Sequence, residues 1–280
     1  MKPVTIHFLL GLLSMCVFLN ATSAKWRSLF NGKDLTGWDT YLGPRYDKTK
    51  DEFAGEPIGL NSDPDNVFSV VKIDGRSAIR VSGQHFGGIS TKEEFENYHL
   101  QLQFKWGEHR WAPRDSSKRD SGLLYHGVGP HGKGWFFWLR SHELQIQEGD
   151  CGDYWGVAGG TVTSPATMHK ENEYVFDTSG QPMIFGSAKE RVNARLIKAR
   201  DGEKASGEWN IIDLYCYADT SVHVVNGKVT MVLYELSQVD GDEMKPLTKG
   251  KIQLQTEGAE VYYRDIRIEP IERIPAELLK

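Results

Sequence analysis

The chain has 280 residues and a formal net charge of −5 at neutral pH, with 39% hydrophobic and 11% aromatic side chains. An acidic balance of this kind argues against a polyanion partner such as nucleic acid, because that binding is driven by Lys and Arg neutralising phosphates. Three cysteines without a Cys-x-x-Cys pair argue against both a disulfide framework and a structural zinc knuckle.

The first 24 residues read as a secretory signal peptide: Lys2 supplies a positive start, residues 6–19 are almost wholly apolar, and Ala21-Thr22-Ser23-Ala24 follow as small residues. The apolar run is short for a membrane span, and no second one follows, so no transmembrane segment is expected. Export to a bacterial periplasm or cell surface is the expectation. Leu13-Ser14-Met15-Cys16 loosely resembles a lipoprotein cleavage box, which would anchor the chain through Cys16, although Met15 fits poorly before the cysteine. After cleavage Cys151 and Cys216 remain and could pair in an oxidising compartment.

Beyond the leader, one domain is expected over residues 25–280. Residues 67–73 and 77–82 flank Asp74-Gly75-Arg76, which predicts a hairpin. Residues 98–106 alternate, with Leu100, Leu102, Phe104 and Trp106 on one face and Gln101, Gln103 and Lys105 on the other. Strands are predicted at 121–125, 135–139, 208–217, 221–225, 228–235, 251–255 and 260–269, with Asn226-Gly227 as a strong hairpin turn. Residues 189–198 fit a short helix or a strand, and 275–280 a terminal turn. Residues 43–65 and 107–119 are long polar insertions of the kind that rim a binding site. Many antiparallel strands with few short helices predict an all-β fold, a β-sandwich or jelly roll.

The most informative stretch is His142-Glu143-Leu144-Gln145-Ile146-Gln147-Glu148. Leu144 and Ile146 share one face of a strand; Glu143, Gln145 and Gln147 share the other. Carboxylates and amides are directional acceptors and donors suited to sugar hydroxyls, and a polar, solvated strand face is the plainer reading. Trp38 fits a structural role near the start of the fold, whereas Trp111 and Trp155, in expected loops, suit stacking on sugar rings. Asp150-Cys151-Gly152-Asp153 lacks the full ligand set of a calcium loop, and no Gly-rich phosphate cradle or serine-nucleophile signature is present.

Taken in order, residues 29–38, 98–106, Asp120-Ser121-Gly122-Leu123-Leu124-Tyr125-His126, 143–148, Glu208-Trp209-Asn210, His223-Val224-Val225-Asn226-Gly227, 250–255 and Val261-Tyr262-Tyr263-Arg264-Asp265-Ile266 resemble the 3-keto-disaccharide hydrolase domain family. The resemblance spans nearly the whole mature chain and implies a concanavalin-like jelly roll. The chain departs from the family pattern at four places. Asp120 stands where Asn is usual, His126 where Arg is frequent, Glu257 where a His commonly follows the Leu-Gln pair, and Tyr263-Arg264-Asp265-Ile266 where Phe-Arg-Asn-Ile is usual.

The family's activity would run by proton abstraction at C2 of a 3-keto-glycoside, loss of the C1 substituent and addition of water. It needs a base, a group that stabilises the enolate, and an acid for the leaving group. Glu143 is the expected acid, and His126 or His223 the expected base. Arg264, Lys105 or a divalent metal held by His126, Glu143 and Glu148 would support the enolate. Gln145, Gln147, Lys105, Asp120, Trp111 and Trp155 are expected to bind an oligosaccharide or glycoside. Two alternatives stand beside this: a lectin-like binding module, and a two-carboxylate glycoside hydrolase. The second is weakened by amides at 145 and 147, where a second carboxylate would be wanted.

Overall fold

A computed structural model describes residues 26–280; the expected export signal and Cys16 lie outside the described residues. The fold is a concanavalin-like jelly-roll β-sandwich of two large antiparallel sheets. One has twelve strands, with Asn210–Tyr217, Tyr98–Arg110 and Ala259–Pro270 adjacent at its centre. The other has eight, and its middle runs Tyr154–Val157, Arg140–Gln147, Asp120–Val128, Lys251–Thr256, Gly87–Thr91. The one helical element among the described residues is a 3₁₀ turn, Ala276–Leu279.

Period two builds the sandwich. Leu100, Leu102 and Phe104 from the larger sheet and Leu123, Leu144 and Leu254 from the smaller are fully buried in one core. Burying a side chain of that size contributes about 1.5–3 kcal/mol. Because alternate residues face opposite ways, packing Leu144 and Ile146 inward turns Glu143, Gln145 and Gln147 outward on the far side of the smaller sheet. The hairpins form where turn chemistry predicts them. Phe68–Ile73 pairs with Arg76–Val81 through Asp74-Gly75, both at positive φ. Thr220–Val225 pairs with Lys228–Asp240 through Asn226-Gly227, likewise both left-handed.

Three expectations are corrected. Residues 135–139 form a turn rather than a strand: Trp135 and Phe136 have φ of 48° and 75°, and the amides of Phe137 and Trp138 both bond the Gly134 carbonyl. Within 189–198 only Arg195–Leu196 is strand. Cys151 and Cys216 are both buried and unbridged. Strands Gly160–Lys170, Glu173–Phe176 and Gln181–Gly186 join the larger sheet where none was predicted. Among the described residues no helix is long and apolar enough to cross a membrane.

Candidate active site

Register on the smaller sheet gathers the polar ladder into one pocket. Gln147, Gln145 and Glu143 lie opposite Asp120, Gly122 and Leu124 of the neighbouring strand, and directly paired residues share a face. On the other flank Glu143 pairs with Trp155. One strand further, Gln255 comes onto the same face, and Glu257 follows it past the strand end. Arg114, from the loop after Tyr98–Arg110, reaches over to close the side, while Trp135 and Trp138 form a wall. The resulting hollow measures about 210 Å³, below the roughly 300–1,000 Å³ of sites for drug-sized ligands.

Gly122 lies beneath Glu143 and Gln255. A Cβ there would overlap Glu143 Oε1 and stand 2.6 Å from Gln255 Oε1, so only glycine lets both side chains lie across the strand. Asp120 accepts a 3.1 Å bond from Gln145 Nε2, a second from Gln147 Nε2, and an ion pair from Arg114. The same guanidinium donates from Nη1 to Glu257 at 3.1 Å. Two of the pocket's three carboxyls therefore share one cation.

Their protonation is split by surroundings. Burial pushes the Glu143 carboxyl well above the ordinary glutamate range, and the charge of Asp120 adds to the rise against a hydrogen bond from Gln255. Burial also raises Glu257 well above its usual value, reinforced by Asp120 and opposed by Arg114. Asp120 is pushed by burial up to about 7, with Arg114 and the Gln147 amide pulling it down. Two carboxyls held well above their ordinary range and a third at about 7 thus occupy one pocket. Several polar atoms are buried without a partner: the Gln145 and Gln255 amide oxygens and the Arg114 Nε–H. Unpaired buried polar atoms are costly, and these three leave two acceptors and one donor for a ligand.

Of the residues singled out in the sequence, Glu143, Gln145, Gln147, Asp120 and Trp155 line this pocket. The others do not. His126 lies in the core: a bulge between Tyr125 and Val128, with φ of 54° at His126, turns its ring inward. Its Nδ1–H donates to the Leu247 carbonyl at 3.0 Å, and burial lowers it to about 4. His223 lies between the sheets, accepting from the Tyr125 hydroxyl at 3.1 Å and donating to the Gly152 carbonyl; burial lowers it to about 3. Both are neutral core histidines, remote from solvent.

Arg264 and Lys105 project from the larger sheet on its outer face, across the core from Glu143. The Arg264 guanidinium lies 3.6 Å from the centre of the Trp209 ring and donates to Gln103 Oε1; Lys105 pairs with Asp74 at 3.3 Å. Trp111 clamps a loop, its indole N–H donating to the Ser82 carbonyl. Glu148 is held by Arg119 at 2.9 Å and by Arg110. The expected ligand set of His126, Glu143 and Glu148 is therefore dispersed, and among the described residues no three His, Cys, Asp or Glu side chains stand where one metal ion would join them. Asp150 and Asp153 pair with Arg195, not with a cation site.

Sequence reasoning missed Arg114, Gln255, Trp135 and Trp138 as pocket residues. Glu257, which the sequence marked only as a departure from the resemblance, lines the pocket with them.

Residues 25–269 match the family profile described as the 3-keto-alpha-glucoside-1,2-lyase-like domain. No match was found among curated proteins. Among solved structures, a Parabacteroides distasonis chain assigned as a glycosyl hydrolase aligns at 21% identity over 88% of this chain and 100% of its own, with a TM-score of 0.49. A β-glucanase from Bacillus licheniformis aligns at 12% identity over 89% and 98%, with a TM-score of 0.45. A carbohydrate-binding module from Bacillus subtilis aligns at 8% identity over 72% and 91%, with a TM-score of 0.42. With a profile match across nearly its whole length, this chain belongs to the 3-keto-alpha-glucoside-1,2-lyase-like domain family.

Proposed function

We propose that the protein cleaves 3-keto-glycosides by elimination, with Asp120 as base, Glu143 as acid and Arg114 as the group that stabilises the enolate. The geometry that supports this reading is one pocket in which Asp120 pairs with the Arg114 guanidinium while Glu143, on the adjacent strand, has no cation bonded to it among the described residues and is pushed by burial well above its usual range. Asp120 takes the C2 proton, and the electron pair moves onto the C3 oxygen. The Arg114 Nε–H, buried and unpartnered, supplies a donor for that oxyanion. When the enolate collapses, a C1–C2 double bond forms and the C1–O bond breaks; the departing oxygen takes its proton from Glu143. Exchange with solvent returns the proton from Asp120 and restores Glu143, and addition of water across the double bond completes a net hydrolysis.

Buried acids at raised pKa weigh against a purely lectin-like role, for which ionisable groups would be better left solvated. The pocket's third acid, Glu257, favours one second reading: two-carboxylate hydrolysis of an unoxidised glycoside, with the second carboxylate coming from the turn after the strand Lys251–Thr256 rather than from position 145 or 147. Incubation with a 3-keto-glucoside and its unoxidised parent separates the two. Elimination predicts cleavage of the keto sugar alone, with deuterium from solvent appearing at C2. Cleavage of the parent at an equal rate would establish the hydrolase instead.

Activity on the keto sugar should rise with pH through about 7. The base works ionised, burial has raised Asp120, and each unit below its pKa removes about tenfold of the active form. At pH 5, kcat/KM is expected about a hundredfold below its plateau, with the limb belonging to the coupled Asp120–Glu257–Arg114 group. A limb near pH 4, where ordinary carboxylates titrate, would remove Asp120 from the scheme.

Gly122→Ala is expected to leave the fold intact, because the new methyl meets the flexible ends of Glu143 and Gln255 rather than backbone. Pushing the Glu143 carboxyl aside by about 1 Å should still lower kcat about a hundredfold. Kinetics and thermal denaturation on one preparation test the lost rate and the retained fold together.

A further inference from the structure

Beside the acid pocket lies a second hollow of about 460 Å³ that the elimination chemistry leaves unused. The two share Trp135, which is 56% exposed and stands edge-on to Trp138 at 5.8 Å between ring centres. Trp135 and Phe136 both hold left-handed backbone, an uncommon state for bulky side chains that persists where surrounding structure enforces it. The floor of the hollow is main chain at Gly156, Gly159 and Gly186, where any Cβ would meet backbone atoms. Gly156 lies on the strand Tyr154–Val157, whose Trp155 pairs with Glu143 and lines the acid pocket. At its rim stand Lys133 and Arg191. Neither has a carboxylate within ion-pair distance among the described residues. Asp240, whose charge reaches Lys133, is already bonded to Arg140 at 3.0 Å, and Arg191 spends Nη1 on the carbonyls of Ser187 and Ala188. An acid-rich pocket thus adjoins, across Trp135, a glycine-floored shelf with two cations in its lining.

We infer that this shelf is the leaving-group subsite and that it selects glycosides whose aglycone carries a negative charge, the sugar itself remaining neutral. The inference rests on the elimination reading for its chemistry, because Glu143 must stand at the glycosidic oxygen and the shelf extends from that side. Charge sets the preference: a carboxylate on the aglycone meets two free cations on the shelf, whereas a carboxylate on the sugar would be driven among three acidic side chains.

The test compares 4-carboxyphenyl, phenyl and methyl 3-keto-glucosides on wild type and on a Lys133→Glu/Arg191→Glu double variant. Methyl substrate does not reach the rim, and its turnover should be unchanged in the variant. The ratio of carboxyphenyl to phenyl kcat/KM should fall about fivefold, the ordinary yield of one or two partly exposed ion pairs; taking the ratio cancels the intrinsic difference between the two leaving groups. An unchanged ratio overturns the inference. If no keto sugar is turned over by wild type, the elimination reading has failed, and calorimetric titration with unoxidised 4-carboxyphenyl and phenyl glucosides then decides the shelf alone. Tighter binding of the charged ligand that disappears in the double variant supports it, and equal binding of the two overturns it.

Discussion

Glu143→Gln should fold and lose nearly all elimination activity on glycosides with poor leaving groups. The amide fills the same volume across Gly122 and can still meet Gln255, so nothing in the pocket collapses. The transferable proton alone disappears. General acid catalysis contributes about 10²–10⁴-fold, and the loss should scale with the basicity of the departing oxygen. An alkyl or sugar leaving group needs the full proton and should show the whole deficit; a nitrophenolate leaves unaided and should show little. That dependence separates a lost acid from a damaged pocket, which would slow every substrate alike.

Stability gives a second signature of the same variant. A carboxyl whose folded pKa is raised stabilises the fold below its unfolded value, near 4.5 for glutamate, and that stabilisation is lost as pH rises toward the folded pKa. Glutamine does not titrate. The variant is therefore expected to match or exceed wild type in denaturant midpoint at pH 8, and the gap between them should narrow as pH falls. A wild type more stable than the variant at pH 8 would mean that Glu143 is ionised and held by a favourable partner, which would remove it as the acid.

Alternation alone placed the pocket's central ladder. Once Leu144 and Ile146 face the core, Glu143, Gln145 and Gln147 have no choice of side, and the strand pairing then fixes Asp120 beside them. Parity failed at His126 because a bulge inserts one residue and reverses the face of the residues after it, and nothing local in Tyr125-His126-Gly127 announces it. It failed for Arg264 and Lys105 in a different way: parity turned Lys105 away from the core, but pairing order put the strands of both residues in the other sheet, and that order is a long-range property. The run Trp135-Phe136-Phe137-Trp138-Leu139 looks like a buried strand by composition. Its glycine neighbours and two left-handed residues instead make a turn that aims indoles at the pocket. Pro165 and a polar, threonine-bearing sequence hid the Gly160–Lys170 strand, since proline inside a run normally demotes it.

Arg114→Gln is expected to be nearly as damaging as loss of the acid, with a different signature in the pH profile. Two of the departures from the family pattern, Asp120 for Asn and Glu257 for His, are the two carboxyls that Arg114 binds. Each puts an acid where the resemblance leads one to expect an amide or an imidazole, and one guanidinium from a loop serves both. Removing it acts twice. The oxyanion loses its cationic donor, a defect of about 10²–10³-fold where such a donor is preorganised in a pocket closed to water. The carboxyls also lose the charge that favours their ionised forms, so Asp120 must rise from about 7. A higher pKa leaves less base ionised at neutrality, and the rising limb of kcat/KM moves to higher pH. Arg114→Lys restores charge without the two-pronged geometry or the Nε–H. It should bring the limb back toward 7 while leaving the plateau depressed. A Gln variant with a low plateau and an unmoved limb would show that Arg114 only shapes the pocket and that Asp120 does not titrate under its influence. A plateau at wild-type height would show that the enolate is stabilised elsewhere.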